Sequence, residues 1–326
     1  MKFIETLKDG DRISDIYLCK NKATATTKTG REYESVILQD KTGCLDGKIW
    51  DPSSMGIGEY EALDYVEVNG LVTSYNGALQ LKIERLRRVG EGEYDPANYM
   101  PVSRFSIDDM YNELLGYIKG INNGYIKKLL ESFFVEDKEF IAIFKKRSAA
   151  KSIHHGFMGG LLEHSLSVTR LCAHIAKAYP FLNEDLLIAC AMLHDIGIVH
   201  CHAPKILCTG SEPYLAHGII GARMLREYGA ARGMEELLEP FARICERHTG
   251  SGITAEEVRL QRLPIPERDY LPESVAEKVV CLADKFFSKS GDMQEKTLER
   301  VRRSMAKFGP GPAARFEELC RLFGVD

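Results

Sequence analysis

Leu186-Leu187-Ile188-Ala189-Cys190-Ala191-Met192-Leu193-His194-Asp195-Ile196-Gly197 is apolar for eight residues and then carries two ionisable side chains. An apolar run with no polar face predicts a helix surrounded by protein on all sides. The doublet His194-Asp195 therefore meets the core, and Gly197 is read as the residue that stops the helix. The flanking periodicity repeats this pattern. In the helix predicted over 161–179, His164 takes a place in the stripe Leu161, Val168, Leu171 and Ile175. Over 216–228, His217 shares a face with Ile220, Met224 and Tyr228. Over 234–248, His248 shares one with Phe241, Ile244 and Cys245, and over 272–287 Asp284 continues the stripe Ala276, Val280 and Ala283.

A single inward histidine is ordinarily a hydrogen-bonded core residue. Six inward polar groups are a different matter, because burying an unpaired carboxylate or several imidazoles costs several kcal/mol each. A divalent cation explains their convergence most economically. Histidine with carboxylate, and no thiolate nearby, favours manganese, iron, cobalt, nickel or zinc over calcium. His164, His194-Asp195 and Asp284 come from three separate helices, and His217 and His248 give enough ligands for a second ion.

Length and composition set the frame around this cluster. With 326 residues, 44% hydrophobic and 28% charged, the chain is a folded protein of about two domains. No apolar run approaches the ~18 residues needed to span a bilayer, and Met1-Lys2-Phe3-Ile4-Glu5-Thr6 lacks a signal-like core, so a soluble cytoplasmic protein is expected. The nine cysteines are odd in number, scattered and never spaced as CxxC, which argues against a disulfide scaffold and a thiolate zinc knuckle. Net charge is −4, and residues 1–95 hold 13 basic against 17 acidic residues. Tight nonspecific duplex binding through counterion release is thereby disfavoured.

Residues 1–90 alternate β-branched or aromatic with polar residues between turn signals, and five strands are expected near 12–19, 34–39, 45–50, 65–73 and 79–83. Five strands in so short a stretch suit a small closed or nearly closed barrel, with an SH3-like barrel or small sandwich as the competing architecture. The Gly-, Pro- and acid-rich stretch 91–105 reads as a linker, and 106–326 as all-helical, opened by a capping signal at Ser106.

His164, the His194-Asp195 doublet and Asp284 resemble the metal signature of the HD superfamily of phosphohydrolases, and His217 and His248 match the two extra histidines of its bimetal members. The stretches Gly159-Gly160-Leu161-Leu162-Glu163-His164-Ser165-Leu166 and Leu193-His194-Asp195-Ile196-Gly197 are similar to the YhaM family of 3′-to-5′ exoribonucleases. That family places an OB-fold before its HD domain. The segments Val36-Ile37-Leu38-Gln39-Asp40-Lys41-Thr42-Gly43 and Lys48-Ile49-Trp50-Asp51 resemble its barrel. The resemblance implies an OB-fold-like β-barrel over 1–90 followed by an all-α HD domain over 106–326. It also implies two divalent ions, manganese first. His164, His194, Asp195 and Asp284 would take one ion, and His217, His248 and the shared Asp195 the other. His194 and Asp195 would form the catalytic pair.

The implied activity is 3′-to-5′ hydrolysis of phosphodiester bonds in single-stranded RNA. The alternatives are an HD phosphohydrolase of nucleotides or other small phosphoesters, and a nucleic-acid-binding protein with a structural HD domain. Position 198 is Ile, where many HD enzymes carry a phosphate-contacting lysine; Lys205 is one replacement, and this departure leaves the substrate class open. Lys151, His154, His155, Arg247 and Lys285 are further candidates for gripping the substrate. On the barrel, Tyr17, Tyr33, Trp50, Tyr65 and Tyr75 are candidates for stacking on bases, and Lys48, Lys82 and Arg85 for tracking phosphates. Arg87 and Arg88, together with Lys145-Lys146-Arg147, would extend a basic path. The oligomeric state is left open, a homo-oligomer included.

Overall fold

A computed structural model describes residues 1–27, 29–90, 92–95, 98–99, 102–149, 157–201, 214–287, 289 and 295–325. The chain divides into two units, residues 1–102 and 103–326. In the first, strands β1 (Arg12–Thr26), β2 (Glu32–Asp40), β3 (Gly43–Ile49), β4 (Tyr65–Tyr75) and β5 (Ala78–Arg88) close into a barrel in the order β1-β2-β3-β5-β4. All neighbours are antiparallel except β3 and β5, which run parallel where Gly47 faces Leu81 and Lys48 faces Lys82. This is the OB-fold arrangement.

Alternation along the strands sends Val36, Leu38, Leu45, Ile49, Val68 and Leu81 inward, all at most 3% exposed. The same alternation corrects two expectations. Tyr17 and Tyr65 are core residues at 0% and 4% exposure, so neither stacks on a base. The Tyr17 hydroxyl donates to the Lys2 carbonyl at 2.7 Å, and burial raises its pKa. Tyr65 is covered by Tyr94, with ring centroids 3.6 Å apart, and by the edge of Tyr99 at 5.0 Å. Part of the stretch read as a linker is therefore barrel wall. Gln39 Nε2 donates to the Tyr99 carbonyl and the Lys41 amide to that of Asn98, tying residues 98–99 to β2 and its turn.

The second unit is helical: α1 (Ile107–Gly120), α2 (Gly124–Glu131), α3 (Lys138–Lys146), α4 (Gly160–Ala178), α5 (Glu184–Leu193), α6 (His217–Ala230), α7 (Glu235–Arg247), α8 (Ala255–Gln261), α9 (Val275–Phe286), α10 (Leu298–Ala306) and α11 (Pro310–Phe323). Caps fix several starts. Ser106 accepts from the Asp109 amide, Asn183 from Leu186 and Ser274 from Glu277. The seven-residue α8 escapes the periodicity because Val258 is its one buried side chain; its start is set by a Thr254–Glu257 capping box. Helix α5 is central, with every residue from Leu187 to Leu193 buried, and it packs on α4, α7 and α9. Among the described residues no helix is long and apolar enough to cross a membrane.

Two glycines set how closely the helices around α5 approach. Gly197 is not the helix stop read from the sequence. Helix α5 ends at Leu193, the chain continues as a 3-10 turn over Ile196–His200, and Gly197 has no positive φ. A Cβ there would lie 2.0 Å from the His217 carbonyl oxygen, so the glycine lets the start of α6 rest on the doublet turn. Gly218 does the same towards α7, where a Cβ would meet the Cys245 carbonyl oxygen at 2.2 Å. Together they draw His217 in between Asp195 and His248.

Candidate metal centre

The six sequence candidates come together. His164 from α4, His194 and Asp195 from the end of α5, and Asp284 from α9 place ligating atoms within 4.8 Å of one another, as do Asp195, His217 at the start of α6 and His248 at the end of α7. All six are buried, none more than 5% exposed. Asp195 belongs to both groups.

Three imidazoles have their tautomer fixed by the helix end they sit on. Nδ1 of His194 lies 2.6 Å from the Ala191 carbonyl, that of His217 2.8 Å from Tyr214, and that of His248 2.9 Å from Cys245. A carbonyl only accepts, so each Nδ1 carries a proton and each Nε2 is the atom aimed inward, a lone pair wherever the ring is neutral. His217 Nε2 faces His248 Nε2 at 3.1 Å, and both lie 3.2 Å from Asp195 Oδ1. On the other side, His164 Nε2 is 3.2 Å from His194 Nε2, 2.9 Å from Asp284 Oδ1 and 3.3 Å from Asp195 Oδ2. Acceptors facing acceptors repel unless a positive charge lies among them. The set of imidazole nitrogens and carboxylate oxygens suits a divalent transition ion, and the Nδ1-to-carbonyl bonds are the outer partners that orient such ligands.

Burial and the neighbouring charges together set the ionisation of these residues. Burial pushes His164 down to about 4 and His248 down to about 3, so both are neutral near pH 7. Burial also opposes charge on His194, but the adjacent Asp195 and Asp284 outweigh it and hold this imidazole up at about 9. One imidazolium does not relieve the His217–His248 encounter. Burial would raise both aspartates; instead Lys289 and His194 hold Asp195, and Lys285 and Lys289 hold Asp284, well below the usual carboxylate range.

A cavity of about 290 Å³ adjoins the cluster, lined in part by His217, His248, Asp284, Lys285, Lys289, Lys296 and Phe308. Of the sequence candidates for gripping substrate, Lys285 lines it, with Nζ 2.5 Å from Asp284 Oδ2. Arg247 does not. Its guanidinium is held by Glu273 at 2.8 Å, Glu277 at 3.4 Å and the Leu271 carbonyl at 3.1 Å, a helix-tethering role. Lys151, His154, His155 and Lys205 lie outside the described residues. Ile198 is buried at 2% exposure.

Lys289 and Lys296 were not singled out from the sequence. Both follow the end of α9 at Phe286, where helical periodicity no longer says which way a side chain faces. The pairing of Phe287 with Glu295 and the bond from the Lys296 amide to the Phe286 carbonyl bring them back to the cavity.

On the barrel, Tyr33 and Trp50 have ring centroids 5.0 Å apart, and Lys48 Nζ stands 5.9 Å from the Tyr33 ring. Trp50 and Tyr75 are 49% and 65% exposed, and Lys82 and Arg85 are exposed as well. The wider basic path does not form as read. Arg87 is paired with Glu67 and Glu93, Arg88 with Asp64 and Lys145 with Asp108. Arg147 is buried, its guanidinium donating to the Ile198 and Cys201 carbonyls, where it braces the turn that follows the doublet.

Residues 161–288 match the HD domain family. The 3′-5′ exoribonuclease YhaM of Listeria innocua serovar 6a is 30% identical over 191 residues, covering 58% of this chain and 60% of the relative. That of Geobacillus sp. strain WCH70 is 31% identical over 191 residues, 58% of each. The chain thus spans about 60% of the length of these curated relatives. Among solved structures, the second OB-fold domain of replication protein A from Methanococcus maripaludis is 19% identical, covering 28% of this chain and 98% of that chain, with a TM-score of 0.23. The chain is thus similar to the HD domain family over residues 161–288 and to the YhaM exoribonucleases over somewhat more than half its length.

Proposed function

We propose that this chain is a metal-dependent phosphodiesterase that shortens single-stranded RNA from its 3′ end. The observation that carries the reading is the pair of ligand groups joined through Asp195, in which four imidazoles and two carboxylates converge in the buried interior beside a cavity. His164, His194, Asp195 and Asp284 would hold one divalent ion, manganese being the first to test, and His217, His248 and Asp195 a second. Ions bound there supply Lewis acidity and a water acidified towards neutral pH. The chain's own residues do the rest. The buried backbone carbonyls of Ala191, Tyr214 and Cys245 keep the imidazoles oriented, the low pKa of Asp195 and Asp284 keeps both carboxylates ionised, and Lys285 offers an ammonium to the phosphate at the cavity mouth. No serine or cysteine nucleophile is required.

The Tyr33–Trp50 pair, together with exposed Tyr75, Lys82 and Arg85 on the same barrel, supports a role for the barrel in holding a single strand, since aromatic faces stack on any base and cationic groups follow the backbone; Lys48 is engaged by Asp46 at 2.9 Å. The names of the similar YhaM proteins point the same way. One observation favours a second reading: the cavity of about 290 Å³ is small for a chain of nucleotides and suits a single phosphoester such as a nucleotide.

The test uses the full-length protein with added manganese on end-labelled single-stranded RNA, single-stranded DNA, nucleoside mono- and triphosphates, and a generic phosphate ester. Progressive shortening from the 3′ end of RNA, lost in Asp195→Ala, is the expected result. Turnover of nucleotides alone would replace this reading with the second, and RNA binding without turnover would reduce the HD domain to a structural part.

A further inference from the structure

We infer that Lys289 is the group that receives the substrate phosphate, and that it rests on Asp195 as a counter-ion until the site takes up metal. The inference depends on the hydrolytic reading above. Lys289 Nζ lies 2.6 Å from Asp195 Oδ2, 2.8 Å from Asp195 Oδ1 and 3.8 Å from Asp284 Oδ1. It thus straddles the one carboxylate common to both ligand groups. Its side chain is 20% exposed and lines the cavity beside His217, His248 and Asp284, so it touches both the shared carboxylate and the space a substrate would enter.

An ammonium and a divalent ion compete for the same oxygens. Two unit positive charges ~4 Å apart repel by about 4 kcal/mol at an effective dielectric constant of 20, and a doubly charged ion doubles that. Metal uptake and the Lys289–Asp195 pair therefore oppose each other. Among the described residues Lys289 has no anionic partner besides Asp195 and Asp284, and Asp284 is the one acidic residue lining the cavity. With both aspartates engaged by cations, Lys285, Lys289 and Lys296 leave the cavity with a surplus of positive charge that a phosphate neutralises. Residue 198, an apolar side chain buried at 2% exposure, makes no such contact. Lys289, beyond the end of α9, supplies a cation at the site.

The test compares wild type, Lys289→Met, Lys289→Arg and the control Lys278→Met, a lysine of α9 outside the cavity. Manganese affinity is measured by calorimetry on the metal-free protein. The gain in melting temperature on adding manganese is measured in parallel, and kcat and KM on whichever phosphoester the wild type hydrolyses. Lys289→Met should bind manganese at least about tenfold more tightly, show a larger manganese-induced rise in melting temperature, and raise KM by about ten- to a hundredfold, the range for losing a hydrogen bond to a charged group. Lys289→Arg should recover much of the KM, and Lys278→Met should match wild type. If the wild type binds manganese and hydrolyses substrate, yet Lys289→Met changes neither manganese affinity nor KM by more than about twofold, the assignment of Lys289 fails while the hydrolytic reading stands. If the wild type neither binds manganese nor hydrolyses any phosphoester, the reading fails and the inference with it.

Discussion

The helical unit contains two sets of buried carboxylates, and they are built on opposite principles. Glu246 and Glu277 are 5% and 3% exposed, about as buried as Asp195 and Asp284 at 0% and 5%. Glu246 accepts from Arg226 at 2.6 Å and Arg268 at 2.8 Å, and Glu277 from Arg243 at 3.0 Å and the Glu273 amide at 2.7 Å. Every contact there is donor to acceptor, so the charge is balanced within the protein and the helices are tied together. Asp195 and Asp284 instead face four imidazoles, three of which have committed their Nδ1 protons to backbone carbonyls, and their ammonium partners Lys289 and Lys285 line the cavity. Buried carboxylates locked by guanidinium groups and amides hold a fold together; those set among imidazoles at a cavity are placed to take a cation.

The largest effect that could break this contrast is on chemistry. Asp195→Ala should lower hydrolysis by on the order of 1,000-fold, about 4 kcal/mol in the barrier, and abolish binding at one or both ion positions, read from turnover and elemental analysis. A variant that keeps its activity would remove Asp195 from the centre. Next comes the structural pair. Glu277→Gln, which strips the Arg243 guanidinium of its buried partner, should cost about 3 kcal/mol in denaturant unfolding while kcat of the folded protein stays within a factor of two or so. A fall in kcat comparable to that of Asp195→Ala would erase the distinction between the two sets.

The contrast extends to pH in the metal-free protein. His164 and His248, held at about 4 and about 3 when folded against an ordinary 6.5, bind protons in the unfolded chain first. Their contribution is complete above about 6.5 and is lost as pH falls towards 4. His194, held up at about 9, acts in reverse: its contribution is complete below about 6.5 and lost as pH rises through 9. Melting temperature should therefore peak between these limits, and saturating manganese should flatten the profile. A profile unchanged by manganese would mean the imidazoles do not bind it. The smallest effect belongs to the barrel. Trp50→Ala should weaken single-stranded RNA binding by about 1–3 kcal/mol, measured by fluorescence anisotropy, and leave turnover of a small phosphate ester unchanged.

Much of this was legible in residue order. Alternation gave the barrel strands, and 3.6-residue periodicity placed His164, His217, His248 and Asp284 on apolar stripes and so inside. The misreadings share a cause. Tyr17 and Tyr65 looked like binding aromatics because a half-buried strand and a closed barrel wall have the same alternation, and closure decides which face is core. Gly197 looked like a helix stop because contact with the His217 carbonyl is invisible without α6 in place. Arg147 looked solvated because its acceptors, the Ile198 and Cys201 carbonyls, lie more than fifty positions away.

What the sequence by itself determined is the inventory: which side chains face inward, in what number, and of what chemical type, since burial follows from local period and hydrophobicity. What only the tertiary structure decided is pairing. Which histidine faces which, which arginine satisfies which carboxylate, and that Lys289 lies against Asp195 all depend on distances between residues 20 to 94 positions apart. Helical periodicity carries no information across such gaps, whereas the packing of α4, α5, α6, α7 and α9 fixes them to within a hydrogen bond's length.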